Sequence, residues 1–298
     1  MGEKGRQKPM NISVVISSIV NGSVIGCVYA LIALGLTLIF GIMNIINFAH
    51  GALLMIAMYC SFWLFHFFHL DPYLSIFLNV PLLFVAGVLI QRLVINPVME
   101  GPHYIQILVT IGLMLLLENA SLMAFTRDVR SVTSFCQNWV LTLGYVTIGF
   151  TKVIAAILAL VLTALLFLML KFTTFGKAIR ATSQNKTGAS LVGIPIGRIY
   201  LLTFGIGTAC VGAAGAMLIP YYTLDPYIGL SFAMIAFITV VMGGLGSFGG
   251  VFISGIVIGV AESVGALFMP GSMKMTVVFV IFILVLLLNP LKNIKEPV

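Results

Sequence analysis

The sequence predicts an all-α polytopic membrane protein: a bundle of about 8–10 transmembrane helices, set by runs long enough to cross a bilayer, with at least one broken or re-entrant segment. Three observations carry this. The chain has 298 residues, of which 61% are hydrophobic and only 8% charged, against about a quarter charged in soluble domains. Its mean hydropathy is +1.19, so there is too little polar surface to cover a water-soluble globule. Its apolar runs are long and lack the alternation of strands.

Runs fit to span lie near 12–40, 45–68, 73–94, 104–125, 152–171, 199–219, 229–242, 250–268 and 275–290. The first is expected to be retained, because no small-residue cleavage site follows it. The longest polar interruption, 171–198, holds Lys171, Lys177, Arg180, Lys186 and Arg198 and no acid. Lys and Arg in short loops resist translocation, which places this segment on the cytoplasmic side. Alternation then puts 92–103 and the glycine-rich turn 243–249 inside, and 126–151 and 220–228 outside. Strict alternation through the five upstream runs would leave Lys4, Arg6 and Lys8 outside, against the charge rule. One resolution is an odd number of crossings within 12–68, with a break near 35–50. The whole of 1–298 reads as a single membrane domain, with an inner loop 171–198 and an outer loop 126–151.

The net charge of +7 follows from the tails and the inner loop and does not suggest nucleic acid; the expected surroundings are a lipid bilayer. Cys27, Cys60 and Cys210 lie in apolar runs and Cys136 stands alone, so no disulfide framework is implied. Small residues recur every four positions at Gly22, Gly26 and Ala30, and again at Gly255, Gly259 and Ser263. Such stripes allow helix backbones to approach closely, within one bundle or across a dimer seam.

In 33–58, Gly41, Asn44, Asn47 and Gly51 recur at helical spacing with His50 nearby, predicting one polar helix side. Polar groups at membrane depth face a bundle interior or a wet cavity. Two readings stand: interhelical hydrogen bonding, or the lining of a substrate pathway. Glu262 joins the pathway candidates, since an acid mid-span must face protein or water. Glu118 lies near an outer helix end and is expected to reach the interface. Arg127, Asp128 and Arg130 open the outer loop, either as a headgroup-level anchor or as a charged docking rim.

Four stretches carry a family resemblance: GLTLIFGIMNIINFAHGALLM (35–55), FGKAIRATSQNKTGASLVGI (175–194), PYIGL (226–230) and VMGGLGSFGGVFISG (241–255). In this order they resemble the membrane subunits of bacterial branched-chain amino acid ABC importers, and more closely the first of the two paired permeases. The resemblance implies a sister permease, two cytoplasmic ATPases and an extracytoplasmic binding protein delivering leucine, isoleucine or valine, in the bacterial inner membrane. It also implies that 171–198 docks on an ATPase, through Gly176, Lys177, Arg180, Ala181, Gly188, Leu191 and Gly193. The docking-rim reading of Arg127, Asp128 and Arg130 then has the binding protein as its partner. A short helix is expected over 177–184 and a second over 187–192, ended by Gly193 and Pro195. Ala178, Ile179, Leu191 and Val192 offer apolar docking surface.

Gly244, Gly246 and Gly249 spell G-x-G-x-x-G, but between membrane helices rather than in a βαβ unit, so they read as a tight turn and not a dinucleotide site. No phosphate-binding loop of the G-x-x-x-x-G-K-[ST] type occurs. No cofactor is therefore expected in this chain; ATP and magnesium would sit on the partner subunits. No metal spacing or nucleophile set suggests an enzyme. An ion-coupled secondary transporter or channel remains the alternative, and an intramembrane enzyme at Asn47 and His50 a weaker one.

Overall fold

In a computed structural model of the chain, residues 12–144, 146–268 and 274–293 are described. The basic tail residues Lys4, Arg6, Lys8 and Lys295 lie outside them. The first helix, α1 (Ile12–Met43), is apolar all round, and Gly26 to Ile39 are buried without interruption. A helix apolar on every side belongs inside a bundle, and the remaining helices sheath it. They are α2 (His50–Phe68), α3 (Ile76–Ile90), α4 (His103–Phe125), α5 (Phe150–Phe172), the short α6 (Thr174–Gln184) and α7 (Lys186–Leu191), α8 (Ile196–Leu218), α9 (Ile228–Gly243), α10 (Phe248–Phe268) and α11 (Lys274–Asn293). Among the described residues, seven helices are long and apolar enough to span: α1, α2, α3 with its extension to Val98, α4, α5, α8 and α10. Two shorter apolar helices, α9 and 276–285 of α11, complete the expected bundle.

Glycines set the packing on α1. A Cβ on Gly22 would stand 2.6 Å from the Gly259 carbonyl oxygen, and one on Gly26 2.6 Å from Ile256 Cα. The two small-residue stripes therefore pack on each other within the chain, antiparallel, rather than forming a seam between copies. Gly35 and Gly207 do the same for α1 and α8, each backbone carbonyl within 2.7 Å of where the other's Cβ would be. Polar side chains join the outer helices. Asn79 donates to Ser61 Oγ at 2.7 Å and to the Ala57 carbonyl at 3.0 Å, binding α3 to α2, and Thr208 donates to the Leu83 carbonyl at 2.9 Å, binding α8 to α3.

The path of the chain resolves the parity problem. Asn21, near the start of α1, donates to the Thr147 carbonyl in the 126–149 segment at 3.0 Å. At the other end Gly41 shares a cavity with Lys171, Arg180 and Gly246. So α1 starts at the end opposite the basic inner segment. Residues 44–68 then return as one broken leg, and 12–68 crosses twice, not an odd number of times. Strict alternation holds because the break at 44–49 lies within a leg and does not add one.

The outer segment 126–149 is not wholly irregular. It carries an antiparallel hairpin of β1 (Val140–Leu143) and β2 (Val146–Gly149). At the inner end, α9 turns into α10 through Gly243 to Gly250. Gly244 and Gly246 have φ of +92° and +87°, values that favour glycine, and the backbones at Gly243 and Gly250 leave no room for a Cβ on either. The pattern is a helix reversal, not a nucleotide cradle, and it lies at the inner end rather than breaking a helix at membrane depth.

Replacing Gly259 by leucine drives a side chain into the Gly22–Gly26 backbone. Overpacking of a tight core costs typically 1–3 kcal/mol, so a chemical unfolding titration in detergent should show a loss of about that size. Gly249→Ala, where a Cβ meets nothing within 4 Å, should leave the titration unchanged.

Candidate functional site

The predicted polar side of a single helix over 41–51 does not form. Asn44 takes φ +53° and its N–H bonds the Phe40 carbonyl at 2.8 Å, which ends α1 in a left-handed cap; asparagine tolerates that conformation better than most residues. Asn47 sits in the extended break, where its Oδ1 accepts from the Ala49 N–H at 3.1 Å. The break turns these residues onto different surfaces. Gly41 lines an inner cavity of about 420 Å³ with Lys171 and Arg180. Asn44 lines another of about 370 Å³ with His103 and Gln106. Asn47 and His50 are fully buried.

His50 Nε2 donates to the Ile32 carbonyl at 3.0 Å. Ile32 is midway between Asn21 and Gly41, so α2 starts near the middle of the bundle. The start of α9 lies at the same level: the Gly229 backbone occupies the space a Cβ on Gly51 would need. Two helices therefore begin at mid-depth, side by side. The outer half of the leg ending in α9 is not helix but 219–227, a loop folded into the bundle. Asn47 Nδ2 and His50 Nδ1 are buried there without hydrogen-bond partners. Interrupted helices meeting at the midplane are a recurring way to place polar backbone and side chains on a transport path.

Above this level lies a buried hydrogen-bonded cluster. Tyr29 donates to Glu262 Oε2 at 2.6 Å, and its hydroxyl is 2.6 Å from that of Tyr222. Tyr29 is fully buried and Glu262 is 5% exposed. Three separate elements, α1, α10 and the 219–227 loop, meet in this cluster. Sequence reasoning singled out Glu262 but missed both tyrosines. The available signal was the phenol itself: a tyrosine in an otherwise apolar helix needs a partner for its hydroxyl. Glu118 was expected at the interface but is turned inward and 6% exposed, with Oε1 unpartnered.

At the outer face, Arg130 is tied down. Its guanidinium lies 5.1 Å from the centres of both the Phe62 and Trp63 rings and donates to the Phe125 carbonyl at 2.7 Å. Its backbone pairs with Leu224 through bonds of 2.9 and 2.8 Å, holding the 219–227 loop in place. Arg127 and Asp128 remain exposed, Arg127 over the Tyr227 ring at 5.7 Å. Tyr73 donates to the Thr151 carbonyl at 2.7 Å. Burial, and next the Asp71 carboxylate, push its phenol above the usual range, so it stays a neutral donor.

At the inner face the two predicted short helices form. The first, α6, starts three residues earlier than expected because the Thr173 hydroxyl caps it, accepting from the Gly176 N–H at 3.1 Å. Asn185 caps α7 through the Gly188 N–H at 2.8 Å, and Gly193 follows at φ +85°. Gly176 lies against the Leu170 carbonyl with no room for a Cβ, and Arg180 donates to the same carbonyl. Ile179 is buried and Ala178 half-buried, both packed on the bundle, so neither supplies outward docking surface. Leu191 and Val192 do, at 82% and 77% exposed, with Lys177, Lys186 and Arg198 also exposed.

Residues 18–286 match the family described as branched-chain amino acid transport system, permease component. The chain belongs to that family. Similar proteins include the high-affinity branched-chain amino acid transport system permease protein LivH of Escherichia coli K12, 34% identical over 293 residues, covering 93% of this chain and 94% of that one. LivH of Salmonella typhimurium is 33% identical over 290 residues, with 93% and 94% covered. The corresponding permease protein BraD of Pseudomonas aeruginosa is 30% identical over 302 residues, with 95% and 96% covered. No solved structure matches. With its span-length helices, this permease is a multi-pass inner-membrane protein and a transport subunit rather than an enzyme.

Removing the Tyr29 hydroxyl strips Glu262 of a donor inside the permease. A buried hydrogen bond contributes about 1 kcal/mol, and leaving a buried partner unsatisfied costs about 1–3 kcal/mol. Tyr29→Phe should therefore lower the unfolding free energy by roughly 2 kcal/mol in detergent, and Glu262→Gln, which keeps an acceptor, by less.

Proposed function

We propose that this permease carries branched-chain amino acids across the membrane as one half of the translocation unit of an ATP-driven importer. Family membership along nearly the whole chain supports the substrate class and the transport role. A sister permease would complete the unit, and an extracytoplasmic binding protein would deliver substrate to the outer face. Exposed Arg127 and Asp128 are the charged groups there best placed to steer it; Arg130, engaged with its own chain, would act by holding their loop.

The observation that carries the ATP-driven reading is the α6–α7 platform. It presents two almost fully exposed aliphatic side chains beside three cations, at the end of a membrane protein where water rather than lipid is expected. Exposed apolar patches of this kind mark partner surfaces. Two cytoplasmic ATPase subunits would hold ATP and magnesium, and one would dock here. Gly176, Arg180 and the Leu170 carbonyl couple α6 to the end of α5, so a push on the platform would reach the membrane through α5. Gly188 and Gly193 shape α7, while Lys177, Ala181 and Leu191 belong to the contact. Alternating access would then work on the interrupted legs at 44–51 and 219–233, where Asn47, His50 and Glu262 supply polar groups and Asn44 lines an inner exit.

Leu191→Asp with Val192→Asp should abolish co-purification of the ATPase subunits and lower ATP-dependent leucine uptake at least about tenfold, since each buried anchor at an interface contributes more than about 1 kcal/mol. Uptake by the chain alone, driven by an ion gradient, would overturn the reading. Orientation is tested by single cysteines. Lys186→Cys should react with a membrane-impermeant maleimide only after the cells are opened, and Arg127→Cys before.

A further inference from the structure

The cavity at the inner end continues outward along the bundle. Its polar part is lined by Lys171, Arg180 and Ser183, with no carboxylate among the lining residues. Phe167 and Phe248 form its outer rim and are shared with a second cavity of about 300 Å³. That second cavity is almost wholly apolar. Leu34 of α1 forms its floor, Leu160 to Phe167 of α5 one wall, and Phe248 to Phe252 of α10 the other. Both helices pack on α1, and the cleft between them is open at the bundle surface, where its lining residues Leu160 and Phe167 are exposed.

The dimensions of this cleft choose between occupants. From Leu160 to Lys171 is eleven residues of helix, about 16 Å at 1.5 Å per residue. That is close to half the roughly 30 Å hydrocarbon core, so the groove runs the depth of one leaflet and ends in two cations at the inner headgroup level. A branched-chain amino acid is far shorter than the groove. A phospholipid acyl chain is not, and basic pockets between helices on the cytoplasmic side suit anionic headgroups. Arg180 keeps donors to spare, because its bond to the Leu170 carbonyl uses one of five. Lys171, over the Phe172 ring at 5.3 Å, is anchored at the rim.

We propose that the α1–α5–α10 cleft is a binding site for one anionic phospholipid of the inner leaflet, with its phosphate on Lys171 and Arg180 and an acyl chain in the groove between α5 and α10. The site is independent of which solute the importer carries. Because α6 is bound to the end of α5 at this point, an occupied site would tie the docking platform to the inner leaflet.

The experiment is native mass spectrometry of the full chain, alone and in its importer complex, with phosphatidylglycerol against phosphatidylethanolamine as probes. Phosphatidylglycerol should be retained at least fivefold more. Lys171→Gln with Arg180→Gln should remove that preference, and so should Ala164→Trp, which fills the groove and leaves both cations. Arg180→Lys, which keeps the charge and alters the Leu170 bond, should retain it. A photoreactive residue at position 164 should yield a lipid adduct in membranes. Equal retention of the two lipids would overturn the proposal. So would loss of the preference in Arg180→Lys, or a crosslink from position 164 to a polypeptide, which would make the cleft a subunit interface.

Discussion

The structure depends on the close approach of backbones to α1. In lipid, apolar side chains gain little by leaving one hydrocarbon environment for another, so helices associate through van der Waals contact and polar bonds. Contact is greatest where no Cβ intervenes. Gly22 and Gly26 face Gly259 and Ile256, and Gly35 faces Gly207. These contacts bring α10 and α8 against α1 and bury Gly26 to Ile39 on every side. A helix so enclosed cannot slide or rotate without separating backbones that fit only in this register. Motion must therefore fall on elements held by side chains, which have other rotamers and other partners to use.

The two ends of the bundle are held differently. Outside, the 219–227 loop is fixed by the Arg130–Leu224 backbone pair, by Tyr222 against Tyr29, and through Tyr29 by Glu262. These are directional bonds among buried groups, which are costly to leave unmade. Inside, the lining residues of two cavities separate α1 from α5, α6 and α4. A structure with bonded polar groups closing one end and space at the other resists opening outward more than inward. Opening outward requires an agent that replaces those bonds, which is the physical work a docked binding protein would have to do.

The sequence was most legible where one physical rule acted alone. Low charge and long apolar runs gave the membrane bundle. Gly193 and Pro195 gave the close of α7. It was least legible where two rules met. Asn44, Asn47 and Gly51 repeat at helical spacing, yet the same asparagines stabilise a left-handed cap and an extended turn, and the break won. Ile179 looked like docking surface because it is apolar within a polar loop; helical geometry instead turns it onto the bundle and leaves Lys177 and Arg180 exposed. The tail charges at Lys4, Arg6 and Lys8 opposed strict alternation, and α1 follows alternation. Nothing local marks Tyr222 as a partner of Glu262, since their contact exists only after α8, α9 and α10 have packed.

Under the proposed function, force would enter the membrane through the α6–α7 platform. The inner platform meets the end of α5, where Gly176 and Arg180 both reach the Leu170 carbonyl, and it also packs on α1 and α8. One side of α5 is exposed, with Ile157, Val161, Leu165 and Leu168 on it, and small residues, among them Ala155 and Ala159, are fully buried on the other. A load applied to α6–α7 would therefore reach α5, α1 and α8 together, and the cleft beside α5 leaves that helix the most room to answer it.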